Sequence, residues 1–133
     1  FDLGTKTIGV AVSDISRTIA TPVTVIKRKK FLDDLEKIKD LEKKYAFVGI
    51  ILGLPINMNG TEGPRCQSTR SFATKLSQIT NHFICLWDER LSTLAAEKSL
   101  ISSDISRKSR TKIIDKIAAC YILQGFLDRL KNS

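Results

Sequence analysis

The succession of strand-type and helix-type segments in this chain predicts an α/β sandwich built on a mixed sheet. Three observations carry that prediction. Residues 46–52 (AFVGIIL) form the most continuously apolar run and show no alternation, as expected of a central strand covered on both sides. Two long segments, 31–45 and 111–130, repeat apolar residues at intervals of three and four. The chain has 133 residues, 42% of them hydrophobic, which suffices for one core and suits two domains poorly. Residues 1–133 therefore read as a single domain.

Each element follows from local pattern. Phe1–Leu3 reads as the end of a strand, and with no initiator Met the reading expects several residues upstream. Thr7–Ser13 and Thr18–Ile26 are β-branched runs separated by turn-type residues, and they pair naturally as an antiparallel hairpin. Pro22 confines the second strand to an edge or a bulge. Phe31, Leu35, Ile38 and Leu41 stripe a helix over 31–45 whose charged face reads as solvated. After the central strand, Gly53-Leu54-Pro55 opens a polar loop, and Pro64 suits the first turn of a helix running to about Thr80. His82–Trp87 is a short strand stopped by Asp88-Glu89-Arg90. Leu91–Leu100 suits a short helix capped by Ser92 or Thr93, Ile101–Ser109 reads as an exposed loop, and Thr111–Leu130 as the longest helix.

Composition excludes several chemistries. Cys66, Cys85 and Cys120 are odd in number and far apart, which argues for reduced thiols and against a disulfide framework. A single histidine, His82, rules out a His-rich zinc site and gives no base for a cysteine or serine nucleophile. The glycines match neither phosphate-loop pattern. No run approaches a membrane span and no signal peptide opens the chain, so a cytoplasmic location is expected and no membrane partner. The formal charge of +8 raises the local concentration of any polyanion, nucleic acid above all. Any chemistry falls to carboxylates.

Three acidic positions break the expected pattern. Asp2 sits at a strand end, two residues before Gly4, where an unpaired charge is costly; an Asx-type turn is the competing reading. Asp88 and Glu89 terminate a strand with side chains on opposite faces. Glu89 has the longer reach, while Asp88 could cap the next helix or hold Arg90. Asp115 falls on the helical projection within about 40° of Ala119, Ile122 and Phe126, so it points at the sheet. Its alternative is a buried first-turn carboxylate held by Lys112 or the helix dipole. In an α/β sheet, strand exits and the start of a packed helix can share one crevice. Three acids meeting there need cations, and an all-oxygen shell suits Mg²⁺ or Mn²⁺. Two such ions could drive phosphodiester hydrolysis, with any fourth ligand coming from Asp14, Asp88, water or substrate. Lys6, Arg90, Arg107, Lys108, Arg110 and Lys112 lie in adjacent segments and could hold phosphate, though each is equally suited to a solvated surface.

Four blocks then carry a resemblance: DLGTKTIGVAVSD (2–14), GLPINMNGTEG (53–63), LWDERLST (86–93) and DKIAACYILQGFLD (115–128). Together they resemble the YqgF/RuvX family of Holliday-junction-resolvase-like proteins, a family also linked to 5′-end maturation of precursor 16S rRNA. The resemblance implies an RNase H-like fold, with a five-stranded mixed sheet flanked by helices on both faces, and a metal-dependent nuclease. It places the family's acidic residues on Asp2, Glu89 (with Asp88 adjacent) and Asp115. Asn57, Asn59 and Gly60 match its polar loop, and Arg90, Ser92 and Thr93 match the block beyond the acid. Pre-rRNA in a ribosomal assembly particle is the implied partner, with branched DNA as the alternative substrate. A non-catalytic RNA-binding assembly factor is the rival outside enzymology, and a monomer and a homodimer both remain open.

Overall fold

A computed structural model describes residues 1–91 and 107–132. Its elements are β1 (Asp2–Leu3), β2 (Thr7–Ser13), β3 (Ala20–Lys27), α1 (Phe31–Tyr45), β4 (Gly49–Leu54), α2 (Pro64–Ile79), β5 (Phe83–Asp88), a 3-10 turn at Glu89–Leu91, and α3 (Arg107–Lys131). The α/β class holds. The single five-stranded sheet does not: β1, β2 and β3 form an antiparallel sheet, and β4 and β5 a separate parallel pair.

β1 supplies only two residues. It meets β4 through Phe1, whose amino group donates to Ile51 O at 2.7 Å and whose carbonyl accepts from Gly53 N at 3.2 Å.

Side-chain alternation sorts the core into two layers. Ile8, Val10, Ile26, Ile50 and Leu52 pack against Leu35 and Ile38 of α1 and Phe72 and Leu76 of α2. On the opposite face Ile51, Cys85 and Trp87 meet Ala118, Ile122 and Phe126 of α3. Helices therefore cover both faces.

Several boundaries differ from the sequence reading. Ala46 is the left-handed C-cap of α1 (φ 51°), so the central strand begins at Gly49 instead. Pro22 does sit at a bulge, because Val10 pairs with Thr24 and Ala11 with Pro22, leaving Val23 extra on the edge strand β3. Asp34 departs from the solvated-face expectation: it is 1% exposed and accepts the Lys29 N–H at 2.9 Å. α3 starts at Arg107, so residues 107–109 are helical and do not extend the loop, and Asp115 lies two turns inside the helix. The expected helix over 92–100 and the loop over 101–106 lie outside the described residues.

Two measurements follow. Leu52 is fully buried between the layers, so Leu52→Ala should cost about 2–5 kcal/mol, read as a lower urea midpoint at unchanged slope. The exposed Leu32→Ala should shift it by under about 0.5 kcal/mol. Asp14 closes the β2–β3 turn by accepting from Ser16 Oγ, Thr18 N and Ile19 N, and these bonds lower its pKa from 3.8 to about 2. A depressed folded-state pKa stabilises above the unfolded value and ceases to do so as pH falls from about 4 through 2. Asp14→Asn should therefore be less stable than the parent above pH 5, with the gap closing towards pH 2.

Candidate functional site

The site is built around Asp2, the only carboxylate on β1. Asp2 pairs with Gly9 across the β1–β2 ladder, so the two share a face. The two backbone bonds at Phe1 set it opposite Leu52, as in a parallel ladder, which brings Asp2 beside Gly53. Gly53 in turn pairs with Trp87 of β5. Gly9, Asp2, Gly53 and Trp87 thus form one row facing α3, with a glycine on each side of the acid. Leu3 points the other way, into the layer under α1 and α2. Asp2 is 6% exposed.

Both glycines are required by what lies over them. A Cβ on Gly9 would sit 2.0 Å from the Asp115 carbonyl oxygen, so α3 crosses β2 at backbone contact there. A Cβ on Gly53 would lie 2.4 Å from Ile122 Cδ1 and 2.6 Å from Glu89 Oε1. One flank of Asp2 is therefore overlaid by the Asp115 backbone and the other by the Glu89 carboxylate. Asp115 does point at the sheet, and Thr7 Oγ1 donates to its Oδ2 at 2.7 Å. The side chain of Lys112, the alternative partner, lies outside the described residues. Thr7, Gly9 and Gly53 were not identified from sequence, since only the strand register makes them neighbours of the acids.

The other candidates separate. Asp88 is committed to Arg90: Nη2 lies 2.8 Å from Asp88 Oδ2 and the Arg90 N–H donates to Oδ1 at 2.9 Å. Those bonds hold the Asp88 pKa below the usual carboxylate range. Asp14 is five residues beyond Gly9 along β2, about 16 Å at strand rise, and does not join the group. Asn57 and Asn59 fold their own loop, with Asn57 Nδ2 donating to Thr61 Oγ1 and Asn59 Oδ1 accepting from Thr61 N, both at 3.0 Å. Gly60, at φ +88°, turns that loop so that Arg90 Nη1 comes 3.8 Å from where a Cβ would stand. Lys6 is exposed on the β1–β2 turn. Ser92 and Thr93 lie outside the described residues, and Arg107, Lys108, Arg110 and Lys112 are placed on the first turns of α3 by backbone alone. His82 is structural, with Nε2 3.0 Å from Glu42 Oε1.

The donor chemistry around Asp2 is oxygen only, of the kind a hard divalent cation takes. Among the described residues no group of three or more Asp, Glu, His or Cys is arranged to hold a metal ion, and one Asp115 oxygen is engaged by Thr7. The residues thus fit such an ion by donor type and by shared face, without a closed shell.

The glycine flanks can be tested directly. Gly9→Ala forces backbone apart and should cost at least about 1–3 kcal/mol in a denaturant titration. Gly53→Ala meets only the ends of the Ile122 and Glu89 side chains, so it should cost less stability than Gly9→Ala while displacing Glu89. Equal costs for the two would contradict this geometry.

A family model described as "RuvX: Holliday junction resolvase" matches residues 1–129. A protein of Ruegeria pomeroyi is 58% identical over 131 residues, covering 98% of this chain and 85% of its own length. One from Paracoccus denitrificans is 58% identical over 130 residues (98% and 82%), and one from Cereibacter sphaeroides 59% over 129 (97% and 81%). All three carry the name "Putative pre-16S rRNA nuclease". With a family model spanning nearly the whole chain and relatives of this identity, the chain belongs to the RuvX family.

Proposed function

We propose that this protein is a divalent-metal-dependent nuclease that hydrolyses phosphodiester bonds of structured RNA, acting in 5′-end maturation of pre-16S rRNA. The observation that carries the reading is the acid row: Asp2 is buried between two glycines, with Glu89 over one and α3 at Asp115 over the other. The names of the relatives support RNA as the substrate. Within this reading the protein works in the cytoplasm on a ribosomal assembly particle.

Asp2, Glu89 and Asp115 would hold Mg²⁺ or Mn²⁺, which supplies Lewis acidity to a phosphoryl oxygen and lowers the pKa of a water nucleophile. The chain's own residues do the rest. Asp2 is fixed by the ladder and gives the site its origin. Thr7 holds one Asp115 oxygen, Oδ2, by a hydrogen bond across to β2. Arg90 is held by Asp88 next to the Asn57–Thr61 loop, where its remaining guanidinium N–H groups can meet a phosphate oxygen.

Asp115→Asn should abolish Mg²⁺-dependent cleavage of a pre-16S 5′-leader RNA, a loss of at least about 10²-fold in kcat, with an unchanged thermal midpoint. Retained cleavage overturns the assignment. The family model's description favours a second substrate, a four-way DNA junction. Matched pre-rRNA, branched DNA and single-stranded substrates separate the two, since phosphate contacts alone do not distinguish the sugars. Salt-sensitive binding without metal-dependent turnover on any of them would instead mark a non-catalytic RNA-binding factor.

A further inference from the structure

On the opposite face of the sheet from Asp2, and one residue further along the chain, the molecule holds a second polar feature. A cavity of about 340 Å³ is lined by Leu3, Gly4, Thr5, Arg28, Lys29, Arg65 and Ser68. Three cations and no carboxylate line it. They come from the β3–α1 connection and the first turns of α2, while the β1–β2 turn contributes backbone. Arg28 is pre-set: Nη1 donates to Gly4 O, the guanidinium lies 5.9 Å from the Phe72 ring centroid, and the buried Asp34 carboxylate stands 3.9 Å behind it. That ion pair is too long for a hydrogen bond, so most of the five Arg28 donors have no protein acceptor among the described residues. Arg65 makes one long contact, Nη2 to Leu3 O at 3.4 Å.

We infer that this cavity is a phosphate subsite. It takes a backbone phosphate of the same nucleic-acid strand whose scissile phosphate lies at Asp2, and Arg28, Lys29, Arg65 and Ser68 are its ligands. The inference rests on the nuclease reading for the identity of the strand, but the cavity's preference for a phosphate stands on its own lining. Leu3 carries the connection, since its neighbour Asp2 faces the acid row while Leu3 itself lines the basic cavity. A strand lying over the C-terminal ends of β1 and β4 meets both. The acids address the bond to be cut and the cations fix the register, a division that phosphate contacts commonly make.

The test uses Lys29→Ala/Arg65→Ala, since both residues are exposed. Arg28 is kept because it also braces Gly4. Binding of a fluorescent pre-16S leader RNA is measured in the Asp115→Asn background, so that the strand stays intact. The double variant should bind about tenfold more weakly, with a salt slope reduced by about 2. Lys39→Ala/Lys43→Ala, the same charge change on the solvent face of α1, should weaken binding less than about twofold. Replacing single phosphates by neutral methylphosphonates should reveal one position that matters for the parent and not for the double variant. Equal losses in both double variants, or identical methylphosphonate profiles, overturn the subsite. Because only binding is read, these outcomes are independent of whether Asp115→Asn abolishes cleavage.

Discussion

The structure depends on a steric constraint, the absence of side chains on both sides of Asp2. A carboxylate in the middle of a sheet face is costly in a low-dielectric interior unless something charged or hydrogen-bonding approaches it. Here the approach is made possible by removing volume. Gly9 lets the α3 backbone cross β2 at contact distance, and Gly53 admits Ile122 and the Glu89 carboxylate. A larger residue at Gly9 meets the α3 backbone itself, whereas one at Gly53 meets the Ile122 and Glu89 side chains and displaces them. The same helix buries Ala118 and Ile122 against Ile51, Cys85 and Trp87, so the packing of the second layer and the site share one interface.

Charge is distributed in a complementary way. The acids sit inside a chain of net charge +8, and Arg28, Arg65 and Arg90 are among the cations near them. In the proposed function, divalent cations held by the acids would let a polyanion attracted to such a surface approach them without repulsion. Asp88 and Asp34 show a different use of acids: Asp88 is hydrogen-bonded to Arg90, and the buried Asp34 accepts the Lys29 N–H and stands 3.9 Å from Arg28. Acids that position arginines and acids that face α3 are therefore different sets, although the sequence places Asp88 and Glu89 side by side.

Much of this was legible in the sequence. The stripe of Phe31, Leu35, Ile38 and Leu41 located α1, Pro64 marked the start of α2, and Pro22 marked the bulge. The helical projection of Asp115 correctly aimed it at the sheet, because a 3.6-residue period depends only on local geometry. What failed was non-local or compositional. Ala46–Val48 are apolar enough to pass for strand, yet Ala46 adopts the left-handed cap that ends α1. The Ser- and Arg-rich start of α3 resembled a loop although arginine and lysine are good helix formers. Asp34 looked like one more surface charge until the fold brought the Lys29 N–H to it. Thr7 and Asp115 are 108 residues apart, and Gly9 and Gly53 become neighbours of Asp2 only through strand register. No pattern along a single chain encodes such pairings.

The most direct test of the central claim is anomalous diffraction from crystals of the protein soaked in Mn²⁺. The account predicts a manganese peak about 2.1 Å from an Asp2 carboxylate oxygen, with Glu89 and Asp115 oxygens completing the protein share of its shell. Manganese bound elsewhere, or none at Asp2 at concentrations that support cleavage, would contradict it.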